Sequence, residues 1–332
     1  MKKLINDPDS VALEAVQGLA LAYPQYIRQL KDLQAVVRRN TPIPGKVAIL
    51  TGGGSGHDPM FPGYVGQGMA DASVAGNIFA SPPPMPIYET AKAAHGGRGV
   101  LFLYGNYSGD VLNFDLAADM LKEEGIPVLT VRVADDLASA PLERREERRG
   151  IAGDLFVIKV AAARAEEGAS LEEVHAAAEK ANRNTRSIGV ALSSCIIPAS
   201  GRPIFEIGEN ELEVGMGVHG EPGVSRQSMM TADKLAADMI GRLLADLRPK
   251  PGDEVAVLVN GLGTTPGCEL MIMFRAAQPL LVNAGLQLCR TFVGNYVTSL
   301  DMAGCSITLM RLDDELRRLL LAPADSPAFV QV

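Results

Sequence analysis

The chain has 332 residues, of which 47 % are hydrophobic and 21 % charged, with 34 glycines and 21 prolines. This composition is typical of a compact, turn-rich globular protein and excludes a disordered or collagen-like chain. The 31 basic and 39 acidic residues give a net charge of −8, which leaves no cation excess for nucleic acid or an anionic membrane. Because domains rarely exceed about 200 residues, we expect two domains and a small polar ligand.

The first half of the chain alternates short apolar runs with helical patterns. Apolar residues at helical spacing over 9–35, interrupted by Pro24, predict two short helices. Strands are predicted at 46–50, 72–76, 99–105 and 127–133, and helices at 86–95 and 111–124. This βαβ order is typical of a mostly parallel, doubly wound sheet with helices on both faces. The charged run 143–149 has nearly cancelling signs, which favours a solvated loop or helix face.

The second half begins after two further helical patterns, at 151–167 and 171–183, and the polar stretch 182–186. We therefore place the boundary so that an N-terminal α/β domain covers 1–185 and a C-terminal α/β domain covers 186–332. Strands are predicted there at 188–194, 204–207, 211–215, 254–260, 287–293 and 306–312, and helices at 230–247, 268–284 and 313–321. The early strands are too close together for crossover helices, which predicts a mixed sheet.

No targeting or membrane segment is visible in the sequence. The chain opens on MKKLINDPDS, and no apolar run reaches the roughly 18 residues that cross a bilayer. We expect a soluble cytoplasmic protein. Its four cysteines form no C-x-x-C pair and lie in or beside apolar runs, which predicts small buried side chains instead of zinc ligands or disulfides.

The sharpest local feature is GGGSGH at 52–57, directly after a predicted strand. Glycines at a strand end leave backbone N–H groups open to hydroxyls or an oxyanion, and His57 follows at once. The segment matches neither the Walker A pattern nor G-x-G-x-x-G, so it does not indicate a nucleotide. The alternative is a tight turn with a surface histidine.

A second histidine, His219, lies in the glycine-rich segment GMGVHGEPG at 215–223. Because His57 and His219 lie in similar loops of different predicted domains, they suggest a shared site between the domains. The remaining histidines, His95 and His175, fit a helix end and a helix surface.

Asp110 follows the strand predicted at 99–105, at the edge where parallel sheets bind ligands. The alternative is that Asp110 only caps the next helix. Nothing in the local spacings joins this carboxylate and the two loop histidines in a metal triad, so we expect no metal. A third glycine-rich turn, NGLGTTPG at 260–267, has no basic residue and is expected to be structural.

Three segments, GGGSGH at 52–57, NYSGDVLNFD at 106–115 and GMGVHGEPG at 215–223, together resemble the dihydroxyacetone (glycerone) kinase K subunit family. Their order and spacing agree, and the likeness runs through essentially the whole chain, with ADDLA near 134 and RRGIAG near 148. The resemblance implies two α/β domains, a homodimer and a short-chain ketose substrate. It also implies covalent capture, in which an imidazole nitrogen adds to the ketone carbonyl as a hemiaminal, and His219 matches that histidine.

The same resemblance implies roles for the first-half residues. His57 would be the general base for the terminal hydroxyl of the ketose, a task that suits an imidazole near neutral pH. Asp110 would hold that hydroxyl, and Gly54, Ser55 and Gly56 would line the pocket with backbone donors. Covalent capture also rejects polyols such as glycerol, which have no carbonyl.

The family holds its nucleotide on a separate helical L-type subunit, and this sequence ends where the K subunit ends. The resemblance therefore implies that this chain binds no cofactor itself. The phosphoryl donor would come on the partner, as ATP with Mg²⁺ or as an ADP rephosphorylated by a phosphotransferase-system protein.

One departure concerns the substrate. The family usually has a lysine before Asn-Tyr, where this sequence has Gly105. The lost donor and the opened space favour a larger ketose, such as the tetrulose erythrulose. Two other functions stay open: a non-catalytic ketose sensor or co-regulator, which would not need His57 and Asp110, and a dehydrogenase, which the missing dinucleotide fingerprint disfavours.

Overall fold

The computed structural model describes residues 2–332, which form two compact units. The helices are α1 (Val11–Ala22), α2 (Pro84–Ala94), α3 (Ser108–Glu123), α4 (Asp154–Glu166), α5 (Leu171–Asn184), α6 (Ala232–Leu247), α7 (Gly267–Asn283) and α8 (Asp314–Leu321). The strands are β1 (Ile27–Gln29), β2 (Ala35–Arg38), β3 (Ala48–Ser55), β4 (Ala72–Ile78), β5 (Val100–Gly105), β6 (Val128–Val133), β7 (Thr185–Ala191), β8 (Glu211–Val214), β9 (Ser225–Ser228), β10 (Glu254–Gly261), β11 (Gln287–Gly294), β12 (Gly304–Leu312), β13 (Ala324–Ser326) and β14 (Phe329–Gln331).

The first unit is built on a six-stranded sheet in the order β1-β2-β4-β3-β5-β6. The pairs β4–β3, β3–β5 and β5–β6 are parallel, whereas the pairs β1–β2 and β2–β4 are antiparallel. This confirms the prediction of a mostly parallel sheet. β5 is buried along its whole length, as expected of a central parallel strand.

The helices α2 and α3 cover one face of this first sheet. Their buried side chains form one cluster with those of the strands, including Ile87 and Ala91 from α2, Phe114 and Leu121 from α3, and Phe102 from β5. The Phe102 and Phe114 rings pack edge to face, with centroids 5.3 Å apart. This packing fixes the end of β5 and the start of α3, where the candidate site residue Asp110 lies.

The second unit is built on another six-stranded sheet, in the order β11-β10-β12-β7-β8-β9. The pair β10–β11 is parallel, and the other pairs are antiparallel, which confirms the prediction of a mixed sheet. The helices α6 and α7 bury apolar side chains against it, among them Leu235, Met239, Leu270 and Met273.

Each unit is assembled from separate stretches of chain. The first contains the residues up to Val133, Phe156–Lys180 and Arg318–Val332, and the second contains Ala134–Leu155 and Ala181–Arg317. The sequence analysis placed one domain boundary after residue 185, close to residues 180–181, where the chain passes from the first unit to the second. The chain also passes into the second unit at residue 134. There the Ser187 N–H donates to the Asp135 carbonyl at 2.8 Å and so joins this stretch to β7.

Two predicted elements are wrong. The second helix expected within 9–35 is the β1–β2 hairpin, where Asp32 turns the chain with a φ of +61° and β-branched Val36 and Val37 favour a strand. The strand expected at 204–207 is irregular chain. The sequence analysis did not predict β9, because its sequence, SRQS, contains no apolar residue.

The charged run 143–149 is solvated only in part. Arg144 is exposed, as expected, but Arg148 is 1 % exposed. Its guanidinium donates from Nη1 and Nη2 to the two carboxylate oxygens of Asp246, at 2.9 and 2.6 Å, and Arg186 donates to the same carboxylate. A buried ion pair therefore replaces the predicted solvated face at Arg148.

The four cysteines are free thiols, and Cys195 and Cys305 are buried as predicted. The prediction is wrong for Cys268, which is exposed in the first turn of α7. Within residues 2–332, no helix is long and apolar enough to cross a membrane.

Candidate functional site

The glycine run that ends β3 is packed tightly within the first unit. A Cβ atom would lie 2.4 Å from the Val74 carbonyl oxygen at Gly52 and 2.8 Å from the Ala80 nitrogen at Gly54. At Gly53 it would lie 2.7 Å from the Phe61 ring. These separations are too short for any side chain, so close approach of neighbouring chain requires the glycines. The sequence analysis attributed them to the approach of a ligand and missed this internal cause.

His57 follows this run and is 2 % exposed. Its ring stacks on Phe79, with centroids 5.0 Å apart and planes at 20°. The alternative of a surface histidine in a tight turn is therefore wrong. The hydroxyl of Ser55 donates to the Gly76 carbonyl at 2.7 Å, so this side chain connects β3 to β4.

Asp110 lies in the first turn of α3 and is 8 % exposed. The N-cap position is Tyr107, so the alternative that Asp110 only caps the helix is wrong. A carboxylate in the first turn is stabilised by the partial positive charge of the helix N-terminus. In the next turn, Asn113 Nδ2 donates to the Pro82 carbonyl at 3.0 Å, which ties the start of α3 to the segment after β4.

His57 and Asp110 lie at the same edge of the first sheet. Because β3 is parallel to both β4 and β5, the carboxyl ends of the three strands meet at one edge. His57 follows β3, Asp110 follows β5, and the loops of both contact residues 79–82 after β4. The structure therefore brings these two predicted residues, with Gly54, Ser55 and Gly56, to the edge where open parallel sheets bind ligands.

His219 lies in the second unit, in the loop 215–224 between β8 and β9. Its Nδ1 is 3.1 Å from Glu221 Oε1, and its backbone N–H donates to Glu221 Oε2 at 3.1 Å. Burial raises the pKa of Glu221, but the hydrogen bond and charge of His219, with Arg149, outweigh it and lower that pKa to about 2. An ionised carboxylate can only accept, so Nδ1 carries a proton, and the lone pair of the imidazole in its neutral form lies on Nε2.

The loop of His219 has a fixed backbone. Gly215 has a φ of +81°, and its N–H donates to the Gly189 carbonyl at 2.7 Å. The Ser299 hydroxyl donates to the Val218 carbonyl, one residue before His219. These hydrogen bonds therefore fix the backbone on the N-terminal side of His219.

Sequence reasoning missed Glu221, Arg149 and Asp136. Glu221 had a usable signal, since an acidic residue two positions after a loop histidine can reach its ring. Arg149 was assigned to the solvated run, yet its side chain is 15 % exposed and pairs with the buried carboxylate of Asp136 at 2.8 Å. A local sequence pattern does not predict an ion pair between residues 13 positions apart.

The other motifs of the sequence analysis make internal contacts. His95 ends α2, and His175 Nε2 on α5 lies 3.2 Å from the Thr130 carbonyl. In the turn 260–267, Asn260 is buried and accepts the backbone N–H groups of Tyr296 and Val297 at 2.9 and 2.8 Å. Across residues 2–332, no cluster of three or more His, Cys, Asp or Glu side chains has the arrangement of a metal site.

The fold and these residues define a class of protein with two α/β units, a histidine and a carboxylate at one sheet edge, and a histidine–glutamate pair in the second unit. Comparison with known proteins narrows this class. A model of the Dak1 domain matches residues 17–328, and this chain belongs to the Dak1 domain family.

Two curated relatives show how far the similarity extends. The dihydroxyacetone-binding subunit DhaK of PTS-dependent dihydroxyacetone kinase 2 from Listeria innocua is 48 % identical over 330 residues, 99 % of each chain. The D-erythrulose kinase of Mycolicibacterium smegmatis is 46 % identical over 329 residues, which are 99 % of this chain but 56 % of that protein.

Two solved structures share the fold. The dihydroxyacetone kinase of C. freundii in complex with AMP-PNP and Mg²⁺ has a TM-score of 0.92 and 33 % identity, over 99 % of this chain and 61 % of that one. The dihydroxyacetone kinase operon co-activator DhaQ has a TM-score of 0.90 and 31 % identity, over 96 % of this chain and 98 % of that one.

Proposed function

We propose that this chain is the ketose-binding subunit of a two-component kinase of the dihydroxyacetone type. The proposal is supported by its 48 % identity, over 99 % of both chains, to a relative named as a dihydroxyacetone-binding subunit. In this proposal the substrate is a short-chain ketose, held as a hemiaminal on His219 while a partner subunit supplies the phosphoryl group.

The observation that carries the proposal is the pairing of His219 with Glu221. A nitrogen nucleophile must present a lone pair, and the bond from Nδ1 to an ionised carboxylate leaves that pair on Nε2. Attack on the ketone forms the Nε2–C2 bond, moves the π electrons of the carbonyl to its oxygen, and leaves that oxygen as a hydroxyl once it has taken a proton from water. A polyol offers no such carbon and is rejected for that reason.

His57 and Asp110 have the phosphoryl-transfer roles in this proposal. His57 takes the proton from the terminal hydroxyl of the ketose as that oxygen attacks phosphorus, and Asp110 holds the same hydroxyl. Gly54, Ser55 and Gly56 supply backbone donors to the ketose. The support is that both side chains are almost fully buried at the ligand-binding edge of a parallel sheet.

The nucleotide belongs to a partner in this proposal. An L-type subunit carries ATP or ADP with Mg²⁺, and in the ADP form a phosphotransferase-system protein restores the phosphate. No Walker A pattern occurs in the sequence, and the structure with AMP-PNP and Mg²⁺ is that of a longer chain. The chain itself holds no cofactor and acts as a cytoplasmic homodimer.

Two alternatives rest on specific observations. An erythrulose kinase subunit is favoured by Gly105 and by the 46 % identity to a D-erythrulose kinase. A ketose-sensing co-regulator is favoured by the likeness to the co-activator DhaQ. His57 and Asp110 favour a kinase over a sensor, since capture alone needs only His219.

The test is ketose capture by the whole protein. On incubation with dihydroxyacetone or erythrulose, native mass spectrometry should show the protein gaining the mass of one ketose without loss of water. We expect His219→Ala to abolish the gain and to keep the fold, because a partly exposed loop side chain contributes little packing. The control is His175→Ala, which should capture normally. An adduct on the His219→Ala protein would place the nucleophile elsewhere and refute the proposal.

A further inference from the structure

We infer that Arg149 is a positioning residue for His219: with Asp136 behind it, Arg149 holds Glu221 so that His219 keeps its Nδ1 proton and presents Nε2 to the ketone. The inference rests on the proposed function for its chemistry. Its structural basis lies entirely within the second unit.

The guanidinium of Arg149 is anchored by the protein interior. Its Nε and Nη2 lie 2.9 and 2.8 Å from Asp136 Oδ2, and Nη2 also donates to the Gly215 carbonyl at 3.1 Å. Asp136 is fully buried, and its other carboxylate oxygen accepts the Ala138 N–H at 3.1 Å. Because Gly215 begins the loop of His219, Arg149 connects that loop to a buried carboxylate.

The Nη1 atom of the Arg149 guanidinium faces Glu221. Arg149 Nη1 lies 3.8 Å from Glu221 Oε2, the oxygen that accepts the His219 backbone N–H. The other oxygen, Oε1, is then directed at His219 Nδ1. A carboxylate held at Oε2 by a cation and a backbone donor has one orientation left, and that orientation sets the tautomer of the imidazole.

Gly217 leaves the space that Arg149 and Glu221 need to lie close together. A Cβ atom at this position would lie 2.1 Å from Glu221 Oε2 and 2.6 Å from Arg149 Nη1. No side chain fits there without separating the two groups. The glycine therefore keeps the arginine close to the glutamate, which explains a glycine at a position whose φ does not require one.

The charges also suit the covalent step. As Nε2 bonds to C2, the π electrons of the carbonyl move to oxygen, which takes a proton from water and releases hydroxide to the solvent, and Nδ1 keeps its own proton. The ring becomes a cation. The cation lies beside the ionised carboxylate of Glu221, which compensates its charge.

The experiment compares Arg149→Met, Arg149→Lys and the control Arg144→Met. Arg144 lies in the same charged run but pairs with Glu147 at the surface, 60 % exposed. We expect Arg149→Met to slow capture of ¹³C2-labelled dihydroxyacetone roughly tenfold or more, the scale of one lost charged hydrogen bond. Arg149→Lys should recover part of the rate, since it keeps the charge but not the fork, and the control should match the unaltered protein.

A second readout does not depend on the ketose. The ¹⁵N shifts of His219, assigned with His219→Ala, should show the Nδ1–H tautomer in the unaltered protein and a mixed or shifted state in Arg149→Met. An unchanged tautomer in Arg149→Met would overturn the inference, whereas absence of capture by the unaltered protein would overturn the proposed function instead.

Glu221→Gln covers the case in which Arg149→Met does not fold. This change keeps the shape of the side chain and removes the charge that Arg149 holds. We expect the same roughly tenfold loss of capture rate with a folded protein. Native capture together with a native tautomer in Glu221→Gln would refute the positioning role.

Discussion

Gly105 ends β5, and its carbonyl accepts the Tyr107 N–H at 2.8 Å just before α3 begins. The residue is buried and stands opposite Val133 of β6. The resemblance leads one to expect a lysine at this strand end, close in sequence to Asp110. Its absence removes one charged donor from the edge at which the proposed substrate binds.

This difference predicts the substrate. In an equimolar mixture, we expect the unaltered protein to capture erythrulose in preference to dihydroxyacetone. Gly105→Lys should move the ratio toward dihydroxyacetone by about tenfold or more, because one charged hydrogen bond is worth about 1.5–3 kcal/mol. Native mass spectrometry of the two adducts gives the ratio directly.

The matched control adds the same side chain elsewhere. Gly18 on α1 has open space around its Cβ position, so Gly18→Lys should leave the ratio unchanged. A preference for dihydroxyacetone in the unaltered protein, moved less than about twofold by Gly105→Lys, would rule out the tetrulose interpretation.

Single elements are secured by buried charges as well as by apolar packing. Asp246 near the end of α6 receives Arg148 from the charged run and Arg186 from β7. Burial raises its pKa, but the two guanidinium groups outweigh burial and lower it. One carboxylate therefore compensates two cations that are themselves almost fully buried.

Removing this carboxylate should be costly. We expect Asp246→Asn to lower the free energy of unfolding by about 3 kcal/mol or more, because two buried cations lose their counter-charge. A carboxylate with a lowered pKa stabilises above its ordinary value of about 4. The difference in the free energy of unfolding between the two proteins, measured with urea, should therefore be largest near pH 7. It should shrink as the pH falls below the ordinary carboxylate pKa of about 4.

The control for Asp246→Asn lies on the same helix. Asp238 accepts from Arg242 at 2.9 Å, with both side chains about one-third exposed. Asp238→Asn should cost only about 0.5 kcal/mol or less. Equal losses in the two variants would show that burial of the ion pair is not what stabilises this region.

The sequence predicted the features that depend on local patterns and missed those that depend on contacts between residues far apart in the chain. β5 and β10 were predictable because their apolar runs are continuous and a buried strand leaves that mark locally. β9 was not, since an edge strand can be wholly polar. The places of His57 and Asp110 followed from parallel topology, whereas the pairing of Arg148 with Asp246 joins residues 98 positions apart and leaves no local pattern.

At the scale of the whole molecule, the proposed function divides the reaction between two proteins. In that proposal His57, Asp110 and His219 bind or deprotonate a hydroxy ketone. Phosphoryl transfer depends on positioning and neutralising the phosphates, usually by a lysine, backbone amides and Mg²⁺. The proposal assigns these groups to a partner subunit.

This requirement gives the last prediction. With Mg²⁺ and ATP, the purified chain should capture a ketose but release no phosphorylated product, and addition of an L-type subunit should start turnover, measured by product formation. With that subunit present, His57→Ala should keep capture and lose about 10²–10⁴-fold in kcat, the usual contribution of a general base, while His175→Ala should behave normally. Turnover by the chain alone would contradict the two-component proposal. Normal capture with no turnover beside any L-type subunit would instead favour the co-regulator, because a sensor needs the covalent bond and not the phosphoryl step.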